Sequence, residues 1–399
     1  MQKNGSRGVD SPGRVVLYSH DTLGFGHLRR NLMLAARLKA LQPAPEVLLI
    51  SGTSEAGSFA LPDGVDLVTL PAYAKHSCGR YAPRRLAMDL AELRDLRAGI
   101  IRTALKRLRP DLFVVDNVPL GAQGELDPAL RWLARQGGTR RVLGLRDVLD
   151  QRRAVRTQWL RDRNVEAVNA LFTDVWVYGD PAIHDPVAEY GLSGAIRADV
   201  RHTGYLLRPA PEIPPRPTGP YVLCSVGGGR DGAALCRAFL EAPLPAGRRG
   251  VVITGSQLDE GERARLERLA AARPEIELLR FVPDLMPLLA GAERVVTMGG
   301  YNTVCEILRL GKPALVVPRV RPREEQLLRA ERFSALGLLD MLHPDRLGPD
   351  VLGDWLARPA TRPAPGRIDT GGLDRFAELA SAALDRRLPA SAPRRPLAA

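Results

Sequence analysis

Short apolar runs along the chain alternate with longer stretches in which apolar positions recur at helical spacing. The first run, RVVLYSH (14 to 20), leads through a loop ending at Gly26 into HLRRNLMLAARLKAL (27 to 41), a strand, loop and helix unit. Further strands are predicted at 46 to 51, 65 to 71, 111 to 116, 141 to 146 and 174 to 179, most of them separated by helical stretches. That alternation predicts a parallel sheet covered by helices on both faces.

The pattern stops at LLRPAPEIPPRPTGP (206 to 220), too dense in proline to continue a helix or a central strand. It then restarts with strands in YVLCSV (221 to 226), GVVITG (250 to 255), IELLRFV (276 to 282), RVVTMGG (294 to 300) and PALVVP (313 to 318), again with helices between. Two doubly wound α/β domains are therefore expected, at 14–205 and 221–388, joined by a linker at 206–220. A polar lead-in at 1–13 and a loose tail at 389–399 complete the predicted organisation. PREEQLLRAERF opens with Pro322 and two glutamates, a helix-start signature.

Composition narrows the class. No apolar run approaches the ~20 residues of a membrane helix, and the lead-in lacks the apolar stretch of a secretory signal, so a cytoplasmic location is expected. The four cysteines, Cys78, Cys224, Cys236 and Cys305, fit no zinc or CxxC spacing and read as buried thiols. The formal net charge of +12 points to an anionic partner: nucleic acid, a membrane surface or a phosphorylated small molecule. That charge is carried overwhelmingly by Arg in an Ala-, Pro- and Gly-rich chain, as a GC-rich coding bias produces, and it does not choose among the three. An aromatic content of 5% leaves few side chains to stack bases, and no nucleic-acid module is present. The Arg-rich stretch from Arg80 to Arg109 reads first as a solvated helix and second as peripheral contact with an anionic membrane.

Three glycine-rich turns fall at predicted strand-to-helix junctions: LGFGHLRR (23 to 30), VGGGRDG (226 to 232) and MGGYN (298 to 302). In open α/β sheets ligands bind at that end of the strands, and the following helix offers unpaired N–H groups to a phosphate. Any one such loop is equally a tight turn that lets a helix pack on its strand. Gly227, Gly229 and Gly232 match G-x-G-x-x-G, yet the next strand ends in Thr254 and Gly255 where a dinucleotide site needs an acid. No P-loop is present.

The stretch 295 to 338, VVTMGGYNTVCEIL through PREEQLLRAERFSALGL, resembles the nucleotide-sugar-binding half of the MurG-like glycosyltransferases of family 28. Their type enzyme adds N-acetylglucosamine to a lipid-linked muramoyl-pentapeptide. SHDTLGFGHLRR together with GGYNTVCEIL and PREEQLLRAERF is similar to a bacterial group of predicted glycosyltransferases within that superfamily. The resemblance implies the GT-B fold, with two Rossmann-like domains facing across a cleft, the acceptor on the first and the donor mainly on the second.

The resemblance also implies roles. Glu306 would bond the ribose hydroxyls, while Gly299, Gly300, Asn302 and Thr303 would meet the diphosphate. Gly227, Gly228, Gly229 and Arg230 would line the donor from the other side, and the backbone of Val282 would contact the uracil edge. Gln326 matches the second glutamine of a sugar-contacting pair whose first position is here Glu325, a departure that counts against N-acetylglucosamine because a carboxylate cannot donate as an amide does. His27 is the candidate base and Asp116 its carboxylate partner, in a first-domain site framed by Gly24 and Gly26. Against these stand a helix cap or phosphate contact for His27 and a simple turn for Asp116. Asp147, in the region of the type enzyme's acceptor loop, is another candidate on the acceptor side.

The expected activity is thus an inverting, metal-independent transfer from a nucleotide diphosphate sugar, a UDP-sugar by resemblance, to an acceptor hydroxyl that a lipid could carry. No cofactor, metal or nucleic acid is expected, and the cytoplasmic face of the cell membrane is the expected place of work. A nucleotide-sugar epimerase and a non-catalytic nucleotide-sugar or anionic-lipid binding protein are the alternatives.

Overall fold

A computed structural model describes residues 12–21, 24–75, 80–211, 219–359 and 368–385. Residues 1–11 of the lead-in, 212–218 of the linker, Cys78 and everything beyond 385, including the tail, lie outside these residues.

The first half contains β1 (Arg14–Ser19), α1 (Gly26–Lys39), β2 (Glu46–Ser51), β3 (Val65–Thr69), the hairpin β4 (Tyr73–Lys75) and β5 (Tyr81–Pro83), and α2 (Leu90–Leu108). It continues with β6 (Leu112–Asp116), α3 (Asp127–Gln136), β7 (Arg140–Arg146), α4 (Arg152–Arg161), α5 (Asn164–Leu171), β8 (Asp174–Tyr178), α6 (Pro186–Glu189) and β9 (Asp199–His202). The second half contains β10 (Tyr221–Ser225), α7 (Ala233–Glu241), β11 (Arg249–Ile253), α8 (Glu260–Ala271), β12 (Ile276–Leu279), α9 (Met286–Gly291), β13 (Arg294–Thr297) and α10 (Tyr301–Leu310). It ends with β14 (Ala314–Val316), α11 (Glu325–Ala335), β15 (Asp340–Met341), α12 (Pro349–Ala357) and α13 (Gly372–Asp385).

Two parallel sheets result. The first has the order β3-β2-β1-β6-β7-β8-β9 and the second β12-β11-β10-β13-β14-β15. Both reverse direction beside their first strand, between β1 and β6 and between β10 and β13, where the register pairs Leu17 with Val114 and Cys224 with Val296. These strands are buried on both faces, which is why they read as continuous apolar runs. The switch point of each sheet is where side chains can reach a ligand.

Helix α1 buries Leu28, Leu34, Ala35 and Leu38, one apolar stripe, and so fixes which residues of its first turns look back at the strand ends. The amphipathic helix predicted near the C-terminus forms as α13, but it packs across the domains. Phe376 meets Trp176 of β8 edge to face at 5.5 Å between ring centroids, and Asp374 pairs with Arg37 of α1 at 3.1 Å. Pro322 stands ahead of α11, which begins at Glu325.

The domains meet through a shared apolar cluster that includes Tyr178 and Tyr205 on one side and Tyr301 and Phe333 on the other. In α2 the solvated-helix expectation holds for Arg94, Arg102 and Arg107, while Arg97 turns inward. Its guanidinium is fully buried against Glu125 at 3.0 Å, and Tyr18 donates to the same carboxylate at 2.8 Å. That cluster anchors the loop from Asn117 to Gly124 along the cleft wall. Cys224, Cys236 and Cys305 are buried thiols.

Candidate functional site between the two sheets

A cleft of about 1860 Å³ runs between the carboxyl ends of the two sheets. Its walls carry eleven Arg and Lys side chains against four Asp and Glu, so it concentrates much of the positive charge of the chain. All three glycine-rich loops open into it.

The helices behind those loops share one feature. For α1, α7 and α10 the N-cap residues are Phe25, Gly232 and Gly300, none supplies a side-chain cap, and no acid occupies the first turn. Helices α2 and α8, by contrast, are capped by side chains: Asp89 and Glu92 form a capping box on α2, and Asp259 accepts two N–H groups at the start of α8. On α7 and α10 unfilled N–H groups and an unopposed dipole are left to the cleft. On α1, Asp21 accepts from Leu28 N at 3.0 Å and so takes one of the open N–H groups.

Glycine is required at two positions of the middle loop. Gly227 has φ +67°, and Gly229 has φ +89° with a Cβ there lying 1.9 Å from the carbonyl oxygen of Thr254; Gly228 approaches the first domain, where a Cβ would make ordinary contact 3.6 Å from Gly24 Cα. Gly227 and Gly300 line the cleft; Gly299 does not, since it turns with φ +76° against Val316.

At the first switch point the structure brings His27 and Asp116 together, with Nδ1 2.8 Å from Oδ2. His27 is the second residue of α1 and caps nothing, and its Nε2 has no hydrogen-bond partner among the described residues. Asp116 is buried and its carboxylate serves His27 and Arg30, not a turn. Arg30 donates to Asp116 Oδ2 at 2.7 Å and to Oδ1 at 3.1 Å. Burial alone would push the Asp116 carboxyl up, but Arg30 and His27 hold it well below the usual carboxylate range. An anionic acceptor on Nδ1 fixes the tautomer with a lone pair at Nε2. His20 at the end of β1 packs 4.7 Å from the His27 ring, and burial, reinforced by His27, pushes it far down from its ordinary value.

On the second domain, Asn302 and Thr303 reach the cleft, and Asn302 Nδ2 donates to the carbonyl of Gly26 at 3.0 Å. Val282 also lines it, with its carbonyl taken by Arg29 at 3.2 Å. Arg230 crosses to the carbonyl of Lys75 at 3.2 Å.

Glu325 and Gln326 face the cleft from the start of α11. Glu325 is bonded by Arg146 of the first domain and Arg319 of the second, each at 2.9 Å. Burial opposes its charge, yet Arg146 and Arg319 pull its pKa down to about 2. Gln326 Oε1 accepts from Arg319 N at 2.9 Å, which leaves its amide nitrogen as the donor end.

Two predicted residues stand elsewhere. Asp147 is fully buried and both of its oxygens are held by Arg329, at 2.9 and 2.7 Å, so the pair ties β7 to α11 and leaves no lone pair facing an acceptor. Glu306 lies behind the cleft wall, 3.1 Å from Arg208 of the linker. Its Oε2 has no partner among the described residues, and burial pushes its carboxyl up although Arg208 and Arg29 oppose this. Sequence reasoning missed Arg30, His20, Arg146 and Arg319. The spacing of His27 and Arg30, three residues apart on one helix face, was the only available signal.

Two facing switch-point sheets, one carrying a histidine and carboxylate pair and the other bare glycine loops, are the architecture of a two-domain transferase. Residues 223–356 match the glycosyltransferase family 28 C-terminal domain. The chain is 24% identical over 362 residues to the UDP-N-acetylglucosamine--N-acetylmuramyl-(pentapeptide) pyrophosphoryl-undecaprenol N-acetylglucosamine transferase of Solidesulfovibrio magneticus, covering 87% of this chain and 90% of that one. It is 28% identical over 162 residues to the transferase of the same name from Phenylobacterium zucineum, and there it spans 40% of this chain and 44% of the relative.

Solved structures share the fold. The glycotransferase of kitacinnamycin superposes with a TM-score of 0.62 at 22% identity, over 94% of this chain and all 100% of that one. The MurG of Acinetobacter baumannii does so with 0.54 at 16%, over 93% and 100%. The protein has the GT-B fold and is a glycosyltransferase similar to MurG, with a family 28 C-terminal domain at residues 223–356.

Proposed function

We propose that the protein transfers a sugar from a uridine diphosphate sugar to an acceptor hydroxyl, with inversion and without a metal ion. The observation that carries this reading is the convergence on one basic cleft of three glycine-loop helix starts, two of them free of caps and acids, opposite a histidine whose Nε2 has no partner among the described residues. His27 Nε2 takes the acceptor proton as the acceptor oxygen attacks the anomeric carbon. The bond from that carbon to the diphosphate breaks on the opposite face. The charge that develops on the leaving phosphate is met by the N–H groups around Gly227–Gly229 and Gly300–Thr303 and by Arg230.

At about 1860 Å³ the cleft exceeds the ~300–1,000 Å³ of an ordinary small-molecule site, as two substrates require. Inversion, metal independence and the uridine preference rest on the family resemblance. The Solidesulfovibrio relative is named for a pyrophosphoryl-undecaprenol substrate, which supports a lipid-linked acceptor met at the cytoplasmic face of an anionic membrane. No described helix is long and apolar enough to cross that membrane, so the contact is peripheral in this reading.

A thermal-shift screen with UDP, ADP, GDP, CDP, TDP and their sugars tests the donor site. Uridine compounds are expected to raise the melting temperature most, since a ligand at a hundredfold its Kd adds about 2.7 kcal/mol. Equal indifference to every nucleotide overturns the donor site. Epimerised sugar formed from a UDP-sugar alone, with no nucleotide released, overturns transfer.

A further inference from the structure

We propose that Arg30 is a positioning residue for the base, holding Asp116 as a buried carboxylate that points the His27 ring without trapping a proton on it. The inference rests on the reading of His27 as the base. Its observations are independent of that reading.

Arg30 is 1% exposed, an unusual place for a guanidinium. It turns its Nε and Nη2 onto one carboxylate, with Nε at 3.3 Å from Asp116 Oδ1 in addition to the two Nη2 contacts. The same Nη2 stands 3.1 Å from His27 Nδ1. Both groups are donors toward Asp116 Oδ2, so His27 and Arg30 share one acceptor.

A lone buried carboxylate beside an imidazole stabilises the imidazolium, and an imidazolium cannot take a proton from an acceptor. A guanidinium on the same carboxylate cancels that pull and sets a cation against the protonated ring. Asp116 keeps its orienting hydrogen bond, while the charge it would lend to His27 is offset. The other titratable groups around the ring are His20 and Asp21 at the end of β1, Tyr178 at the end of β8 and Tyr301 on α10, with Arg97 and Arg146 acting on His20 behind it. Among these, Arg30 is the cation in contact with His27.

The arrangement also reaches the donor side. The guanidinium lies between the rings of Tyr178 and Tyr301, 5.7 and 5.4 Å from their centroids, as cation–π contacts. Tyr301 opens α10, whose next residue, Asn302, bonds Gly26 at the start of α1. The base is therefore set in its final geometry where the donor-side helix docks on α1.

The test reads His27 directly. The protein has six histidines; labelling them with carbon-13 at Cε1 and assigning His27 by its loss in His27→Ala gives its titration by NMR, with no substrate needed. In R30Q the His27 midpoint is expected to rise by about one pH unit or more, and in R30K to stay within about half a unit of the wild type. An R30Q midpoint indistinguishable from the wild type overturns the proposal.

Should R30Q fail to melt cooperatively, the charge-balanced pair R30Q with D116N decides. If the two charges offset each other, its His27 midpoint stays within about half a unit of the wild type; a fall of about one unit or more means Asp116 acted alone and overturns the proposal. Because turnover is not the readout, the expected titration combined with full transfer by His27→Ala would sink the base assignment and leave the electrostatic inference standing.

Discussion

The two switch points have one topology and opposite chemistry. Between β1 and β6 the fold collects His20, Asp21, His27, Arg30 and Asp116, every one of them buried or packed against another. Between β10 and β13 it collects Ser225 and Thr297, tied by a hydrogen bond of 2.8 Å from the Thr297 hydroxyl to the Ser225 carbonyl, and then glycines. A proton-transfer site has to fix ring orientation and charge, which takes side chains that hold one another. A diphosphate site gains most from bare N–H groups and close backbone approach, and each side chain added there is an obstacle. Under the proposed function, repeating one sheet plan and loading its two mouths differently gives a cleft in which the reactive end and the binding end are separate.

The sharpest way to break that comparison is to remove the base. His27→Ala is expected to lower the rate of transfer by about 10²–10⁴-fold, the usual contribution of a positioned general base. UDP binding, measured by calorimetry, should change by less than about twofold because the glycine mouth is untouched. Loss of UDP binding in this variant would show that the two mouths are not separate.

Asp147→Asn probes the joint between the domains. Removing one charge of a buried pair costs about 3–5 kcal/mol, since Arg329 is left without a counter-ion. Urea denaturation should report that loss, with UDP affinity unchanged where the variant is folded. An unchanged urea midpoint would mean that Arg329 finds another partner.

The next effect is a pH dependence. Glu325 has its folded pKa lowered from 4.5 to about 2, so its contribution is fully present above about pH 4.5 and is lost as the pH falls toward 2. The shift corresponds to roughly 3 kcal/mol as an order of magnitude. The stability difference between the wild type and Glu325→Gln should therefore be largest at neutral pH and shrink across that window. A difference that stays constant from pH 5 to pH 2.5 contradicts the pairing with Arg146 and Arg319.

Much of this was legible in the chain, and what was not has a common cause. Each central strand announced itself as an apolar run ended by glycine or a polar residue, and His27, Asp116 and the glycine loops followed from position relative to those runs. Strands β9 and β15 sit at sheet edges with exposed residues, so they left no apolar run to read. The amphipathic pattern of α13 showed that it buries a face, but which domain receives that face depends on Trp176, far away in sequence. Arginines mislead most. Arg30 drew no reading because its carboxylate lies 86 positions on, and Asp147 was placed on the acceptor side because its partner Arg329 lies 182 positions on.

Glu306 is where the two ways of reading part, and it gives the smallest and most discriminating prediction. The family resemblance puts its carboxylate on the ribose, while the structure puts Arg208 of the linker on Oε1 and leaves Oε2 buried without a partner among the described residues. A buried oxygen with no partner is a cost that a ribose hydroxyl would relieve, at about 1.5–3 kcal/mol for a hydrogen bond to a charged acceptor. Glu306→Ala should then weaken UDP binding by roughly tenfold, and Arg208→Met, which frees Oε1 as well, should not weaken it further. If Arg208→Met costs as much as Glu306→Ala and the double variant costs no more than either, the two residues act as one unit that shapes the wall behind the donor. A loss in Glu306→Ala with none in Arg208→Met would instead place the ribose on the carboxylate itself.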